Sequence, residues 1–207
     1  MMESFLTQNI SFNVASYQFE VQFKSGDTIF REGANPTCLY ALLYGKAKVY
    51  KVHENGRISI VEFLKAPALI GEMELIHARD ESIGVVALTD CTCDAIKIAP
   101  CRERLLNDAL FLRFLCEYLG KKAADNSNRA AVNAAYPLSV RLAQFILLTQ
   151  QNGLYREKHT EVAEYLGVTY RHLLYVLATF AKHGILKKTT QGYQILDFAL
   201  LKTTAST

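Results

Sequence analysis

Residues 160–180 read TEVAEYLGVTYRHLLYVLATF, with the punctuation of two short helices and a tight turn. Thr160 is placed to cap the first helix, its hydroxyl accepting from free amides there. Val162, Ala163 and Leu166 recur at helical spacing. Ala163 is small where a second helix crosses closely. Gly167 stands where the first helix must stop, because glycine takes the left-handed conformation at little cost. Val168 plugs the turn and Thr169 restarts the helix. Leu173, Val176, Leu177 and Phe180 form the buried stripe of that second helix. Tyr170, Arg171, His172 and Tyr175 fall on its other face. Long donors and aromatics there suit a helix lying in a DNA major groove. The plainer reading is a helical hairpin with a solvated face; the small residue, the glycine and the restart at this spacing favour DNA.

Charge distribution points the same way. The net charge of +3 over 207 residues is too small to imply nucleic acid by itself. From Leu138 onward, however, eight Lys and Arg (Arg141, Arg156, Lys158, Arg171, Lys182, Lys187, Lys188, Lys202) face four acids, giving +4. Residues 1–137 carry the remaining −1. The basic excess lies with the DNA reader, where phosphate contacts need it. No apolar run approaches the roughly 20 residues of a membrane span, and the N-terminus, MMESFLTQNISFN, lacks a secretory pattern. Both point to the cytoplasm, with no membrane partner. The five cysteines (Cys38, Cys91, Cys93, Cys101, Cys116) are odd in number and lack CxxC spacing, which argues against a disulfide scaffold.

The N-terminal half alternates short apolar strands with turn signals. Val21 and Phe23 precede the turn Lys24–Asp27; Ile29 and Phe30 precede Glu32-Gly33; Leu39–Tyr44 ends at Gly45. Lys48–His53 and Arg57–Leu64 flank Asn55-Gly56, a strong hairpin signal. Pro67 and Gly71 break the chain again before strands at Val85–Leu88 and Thr92–Ile98. Many short strands at regular spacing predict a jelly roll. After residue 100 the pattern turns helical. From Cys101 to about Asn133 there is no proline and one glycine, Gly120. Leu105, Leu112, Leu115, Tyr118 and Leu119 make an apolar stripe, and Lys122, Asp125, Asn126, Arg129 and Asn133 continue it as polar residues. Ala134-Ala135-Tyr136-Pro137 ends the helix and marks the expected domain boundary. Ser139–Gln150 is an amphipathic helix closed by Asn152-Gly153; His183-Gly184 closes the reading helix. Two short strands, 185–188 and 193–196, then form a wing that brings Lys187 and Lys188 to phosphate.

The pattern Phe23, Gly26, Asp27, Ile29, Phe30, Glu32, Gly33, Pro36, Leu39, Tyr40, Leu42, Leu43, Gly45, Lys48, Val49, Tyr50, followed by Asn55-Gly56-Arg57 and 70–76 IGEMELI, resembles the cyclic-nucleotide-binding β-roll. With the helix-turn-helix behind it, nearly the whole chain resembles a regulator of the CRP/FNR superfamily, nearest its YeiL-type branch. The resemblance implies an α+β protein. Residues 1–136 are a cyclic-nucleotide-binding-like sensor β-roll (jelly roll) with a long dimerisation helix at about 101–134. Residues 137–207 are a winged helix-turn-helix domain. It also implies a homodimer on palindromic double-stranded DNA, with Leu112, Leu115, Tyr118 and Leu119 at the seam and RNA polymerase as a further partner. The plainer reading of that helix is packing on its own roll.

Departures from the family pattern restrict the effector. Members that bind cyclic AMP hold the ribose with a Gly-Glu pair, matched here by Gly71-Glu72. They hold the phosphate with an arginine followed by Ser or Thr, and here Glu81, Ser82, Ile83 and Gly84 stand at that place. A buried phosphate without its cation loses a strong bidentate contact. The adenine contacts fall near Asp125 and Asn126, without the expected Thr-Ser pair. Cyclic AMP is therefore not the expected effector, and Glu72 has a plainer role in accepting turn amides. The FNR branch's iron–sulfur centre is not supported either, because no cysteine precedes Cys38. Cys91 and Cys93 share one strand face, and Cys101 begins a helix whose dipole lowers thiol pKa; these three are the redox candidates against a plainer reading as buried thiols. The histidines lack metal-ligand spacing, so no metal site is expected. No catalytic constellation is visible, which argues against an enzyme.

The reading helix also departs from the best-known members. They open it with Arg-Glu and carry a second arginine one turn on, reading a TGTGA-like half-site. Here the positions hold Tyr170, Arg171 and Tyr175. An acceptor for cytosine is replaced by a donor suited to guanine, so a different half-site is expected. Two other readings stand beside this one: a constitutive DNA binder whose roll is only a dimerisation scaffold, and a thiol-based redox-responsive regulator. The effector itself is an unknown small molecule.

Overall fold

The computed structural model describes residues 4–56, 58–76 and 82–206, apart from the side chains of 129 and 132–134. Glu81 and Arg57, and the side chains of Arg129 and Asn133, lie outside the described residues. The chain divides into two compact units, Met1–Ala123 and Ala124–Thr207. A domain boundary at Pro137 is expected from the end of a helix; the division by internal contacts falls between Ala123 and Ala124.

Among the described residues, eight strands build the first unit: β1 (Gln18–Phe23), β2 (Thr28–Phe30), β3 (Cys38–Tyr44), β4 (Lys46–Val52), β5 (Ile58–Lys65), β6 (Ala68–Ile70), β7 (Gly84–Ala87) and β8 (Cys91–Lys97). They form two antiparallel sheets, β1-β8-β3-β6 and β2-β7-β4-β5. The strands of the two sheets interleave along the chain in the jelly-roll manner. The Asn55-Gly56 turn joins β4 to β5 with Val52 opposite Ile58, and Gly56 takes a φ of +74°. Gly45 alone joins β3 to β4; its φ is +99° and the Asp90 carbonyl lies where a Cβ would go.

Two cores explain the burial of β3 on both faces. Between the sheets, Phe30, Leu42, Ala47, Val49, Leu64, Ile70, Val85 and Cys93 pack together. On the outer face, Leu39, Ala41 and Ile96 meet Leu6, Ile10 and Val14 of the N-terminal segment and Leu105, Phe111 and Leu115 of the helices. The segment before β1 carries no sequence-based expectation, yet it closes this second core.

The stretch expected as one helix from Cys101 is two: α2 (Arg102–Leu106), preceded in the chain by α1 (Glu72–Leu75), and α3 (Ala109–Ala135). Asp108 makes the break. Its carboxylate accepts from the amides of Leu110 at 3.0 Å and Phe111 at 3.4 Å, the bonds of a helix cap. It also accepts from the Ser11 amide at 2.6 Å, tying the N-terminal segment to the start of α3.

The second unit holds α4 (Leu138–Thr149), β9 (Leu154–Tyr155), α5 (His159–Tyr165), α6 (Tyr170–Lys182), β10 (Leu186–Thr189), β11 (Gly192–Ile195) and α7 (Phe198–Thr204). Pro137, extended, is the residue before α4, and α3 ends at Ala135, two residues before it. The wing has a third strand, β9, beside β11. Neither β9 nor α7 carries enough apolar periodicity to be read from sequence. No described helix is long and apolar enough to cross a membrane.

Candidate nucleic-acid interface and effector recess

The helix-turn-helix is built by three local devices. Gly167 takes a φ of +65°, which lets the Val168 amide reach back to the Ala163 carbonyl at 2.9 Å. Thr169 caps α6, its hydroxyl accepting from the His172 amide at 3.2 Å. Arg141 of α4 donates to the Leu166 carbonyl at 2.6 Å, so one of the basic residues counted above holds the turn itself. Thr160 is not a cap. Lys158 is the residue at the helix boundary, its carbonyl accepting from the Val162 amide at 3.0 Å, and Thr160 lies exposed inside α5.

Leu173, Val176, Leu177 and Phe180 are all buried. Full burial of a Leu or Phe side chain contributes about 1.5–3 kcal/mol, so this stripe fixes the rotation of α6. That rotation leaves Tyr170, Arg171, His172 and Tyr175 exposed, on one face with nothing of their own unit packed over it. Lys187 and Lys188 are exposed on β10. The wing and the start of α6 are close in space. Burial raises the Tyr193 phenol above its usual range and Tyr170 adds to this. His159, missed from the sequence, stacks on Tyr155 with ring centroids 6.0 Å apart; burial and the nearby Lys188 ammonium hold it below the ordinary histidine range. Its signal, a histidine at a helix start, is too common to have singled it out.

A recess opens in the roll between Phe30, Val49, Leu64, Leu69, Ile70 and Val85, with Glu62, Gly71, Glu72, Ile83 and Lys122 also lining it. Gly71 begins α1 with a φ of +97°, and the Phe30 ring and Cys38 carbonyl press on it. The cavity volume is about 40 Å³, room for a few waters and well below the size of a small-molecule site. Of the residues expected here, Gly71, Glu72 and Ile83 do line it. Ser82 does not: its buried hydroxyl lies 3.1 Å from the Arg31 carbonyl and also meets that of Ala34, binding one loop to another. Asp125 and Asn126 are exposed on α3, in the other compact unit. The Glu72 carboxylate accepts not from turn amides but from Lys122, with Nζ 2.9 Å from its Oε1; the same ammonium lies 3.0 Å from Glu62 Oε2. Burial disfavours the ammonium, and the Glu72 and Glu62 carboxylates outweigh it, holding Lys122 above the ordinary lysine range.

The thiols and the expected seam sit otherwise than their sequence suggested. Cys91, Cys93 and Cys101 are buried. Burial pushes the Cys93 thiol up to about 12 and raises Cys91. Cys101 is raised as well, the reverse of the helix-dipole expectation. Burial outweighs the neighbouring Arg104, and Sγ donates to the Lys97 carbonyl at 2.8 Å. Cys116 is the exposed thiol. Leu115 is 2% exposed in the roll's outer core, with Leu112, Tyr118 and Leu119 packed against the same core; the Leu69 amide donates to the Tyr118 hydroxyl at 3.0 Å. Leu115 is thus spent on its own roll, whereas Leu112, Tyr118 and Leu119 are half-buried against it. Among the exposed residues of α3, Cys116, Gly120, Ala123, Ser127 and Ala130 lie in a line, spaced by four and three residues. Among the described residues no group of His, Cys, Asp and Glu is placed to hold a metal ion.

Residues 20–104 match the cyclic nucleotide-binding domain family, and residues 140–204 the Crp-like helix-turn-helix domain family. The chain is 48% identical over 173 residues to the regulatory protein YeiL of Escherichia coli O157:H7, covering 84% of this chain and 79% of that one. Its fold is similar to that of a CRP/FNR-family transcriptional regulator from Thermus thermophilus, with a TM-score of 0.73, 22% identity and coverage of 91% and 99%. It is similar also to a chain from Eubacterium rectale described as a transcriptional regulator of the crp/fnr family, with a TM-score of 0.79, 16% identity and coverage of 100% and 96%. At such identities these two solved structures speak for the fold alone.

Proposed function

The chain belongs to the CRP/FNR family of DNA-binding transcription regulators, and from that premise we propose that it acts as a cytoplasmic homodimer on a palindromic operator, without control by cyclic AMP. The observation that carries the DNA reading is the free face of α6, where Tyr170, Arg171, His172 and Tyr175 stand exposed beside the wing lysines. Arg171 presents a guanidinium suited to guanine O6 and N7, and Lys187 and Lys188 suit the flanking phosphates. Palindromy follows from two-fold symmetry, with half-site centres about one helical turn apart.

The dimer seam in this reading is the line Cys116, Gly120, Ala123, Ser127 and Ala130. The alternating spacing is that of coiled-coil a and d positions, and small side chains let two helices approach closely. Two observations speak against cyclic AMP. Ser82, at the place of the family's phosphate-binding arginine, is spent on backbone carbonyls, and Glu72 is already paired. Selection of bound sequences from a random DNA pool tests the function. Enrichment of one palindrome whose half-sites differ from TGTGA is the expected result, and a pool that stays random would overturn the reading.

A further inference from the structure

The recess is not an empty receptor. Glu72 is buried, its side chain 4% exposed, and a buried carboxylate without a partner is strongly unfavourable. A site made for a diffusible ligand would leave that carboxylate unpaired whenever the ligand is absent. Here the chain supplies the partner. Lys122 lies one helical turn beyond Tyr118 on the same face of α3. Tyr118 meets the Leu69 amide of β6, and Lys122 meets Glu72 at the start of α1 and Glu62 of β5. Two successive turns of the helix are thus bonded to the corner where β6 runs into α1, and that corner forms the recess wall. An intramolecular ammonium acts at high effective concentration, so a small molecule must displace it from two carboxylates to enter.

We propose that Lys122 is a tethered occupant of the recess, joining the long helix to the roll as a bound effector otherwise would, so that the protein is in its DNA-binding state with no small molecule present. This rests on the reading of the chain as a dimeric DNA-binding regulator. The step from clamp to function is short. Lys122 sets the rotation of α3 on the roll, that rotation decides which face of α3 meets its twin, and the helix continues to Ala135 in the DNA-binding unit. Loss of the clamp frees the rotation and with it the register of the seam.

The test uses the full chain, dialysed free of small molecules, on its selected operator, with affinity read by fluorescence anisotropy and association by sedimentation. The wild type binds without additions, and cyclic AMP at millimolar concentration changes its affinity by less than about twofold. The Glu62→Gln, Glu72→Gln, Lys122→Met triple variant removes the clamp with no buried charge left over. It retains a cooperative melt but binds the operator at least about tenfold more weakly and dimerises less tightly. Should that variant not fold, Lys122→Gln gives the second reading: a loss of the same order, restored by Lys122→Arg. A folded triple variant with wild-type affinity overturns the proposal, and so does a wild type that binds only once cyclic AMP is added. A wild type that binds no DNA under either condition overturns the DNA-binding reading as well.

Discussion

Arg171 is the second residue of α6, exposed, on the turn that a recognition helix presents to base edges. Replacing it with Ala should cost about 1–3 kcal/mol on the selected operator and relax one base position. Titration against operator and random DNA checks this; equal losses on both would make Arg171 a phosphate contact. Lys187→Ala and Lys188→Ala should weaken all sequences alike and flatten the dependence of affinity on salt, measured as the slope of log K against log salt. Asp108 acts on stability. Burial works against its charge, and the amides of Ser11, Phe111 and Leu110 outweigh it, holding the carboxyl below the usual aspartate range. A depressed folded pKa contributes stability that is present above the unfolded value, about 3.9, and is lost as pH falls through the folded one. Asp108→Ala should therefore cost about 1 kcal/mol at neutral pH, and its deficit relative to wild type should shrink below about pH 4. Urea titrations at the two pH values measure it.

At the scale of elements, α3 packs one face on its own roll and leaves another exposed, the face proposed above as the seam. Leu115 belongs to the first, so Leu115→Asp buries a charge in the roll and should abolish cooperative unfolding, not merely dissociate a dimer. Gly120→Glu belongs to the second. It points to solvent in the isolated chain, nothing lying within 4 Å of a Cβ there, and should give a folded monomer in sedimentation. A Gly120→Glu protein that remains dimeric would place the seam elsewhere. The two cores likewise divide the thiols. Cys91 and Cys93 sit in the inter-sheet core, and Cys101 seals the outer one. Alkylation at mild pH should spare the four buried thiols and should label Cys116 faster in the Gly120→Glu monomer than in the wild-type dimer, whose seam covers it, read by intact mass. Rapid labelling of Cys93 would mean that the roll opens.

For the molecule as a whole, what sequence determined by itself was local. Gly167 and Thr169 specify a turn and a cap, Asn55-Gly56 a hairpin, and Leu173, Val176, Leu177 and Phe180 a buried stripe; each depends on backbone geometry and on residues within a turn or two. The order roll, long helix, winged helix-turn-helix was legible for that reason, and so was the exposed face carrying Arg171. Tertiary structure decided the rest. An apolar stripe such as Leu112, Leu115, Tyr118 and Leu119 says that a face is buried, but its period is the same whether the cover is a twin helix or the chain's own sheet. Asp108, which caps α3 through local amides, also holds the Ser11 amide from 97 residues away. Glu72 meets Lys122 across 50 residues, and Cys101 has a raised pKa because the core closes over it and outweighs the local dipole. Periodicity and turn chemistry act between neighbours along the chain, whereas burial and ion pairing depend on which distant residues the jelly-roll topology brings together.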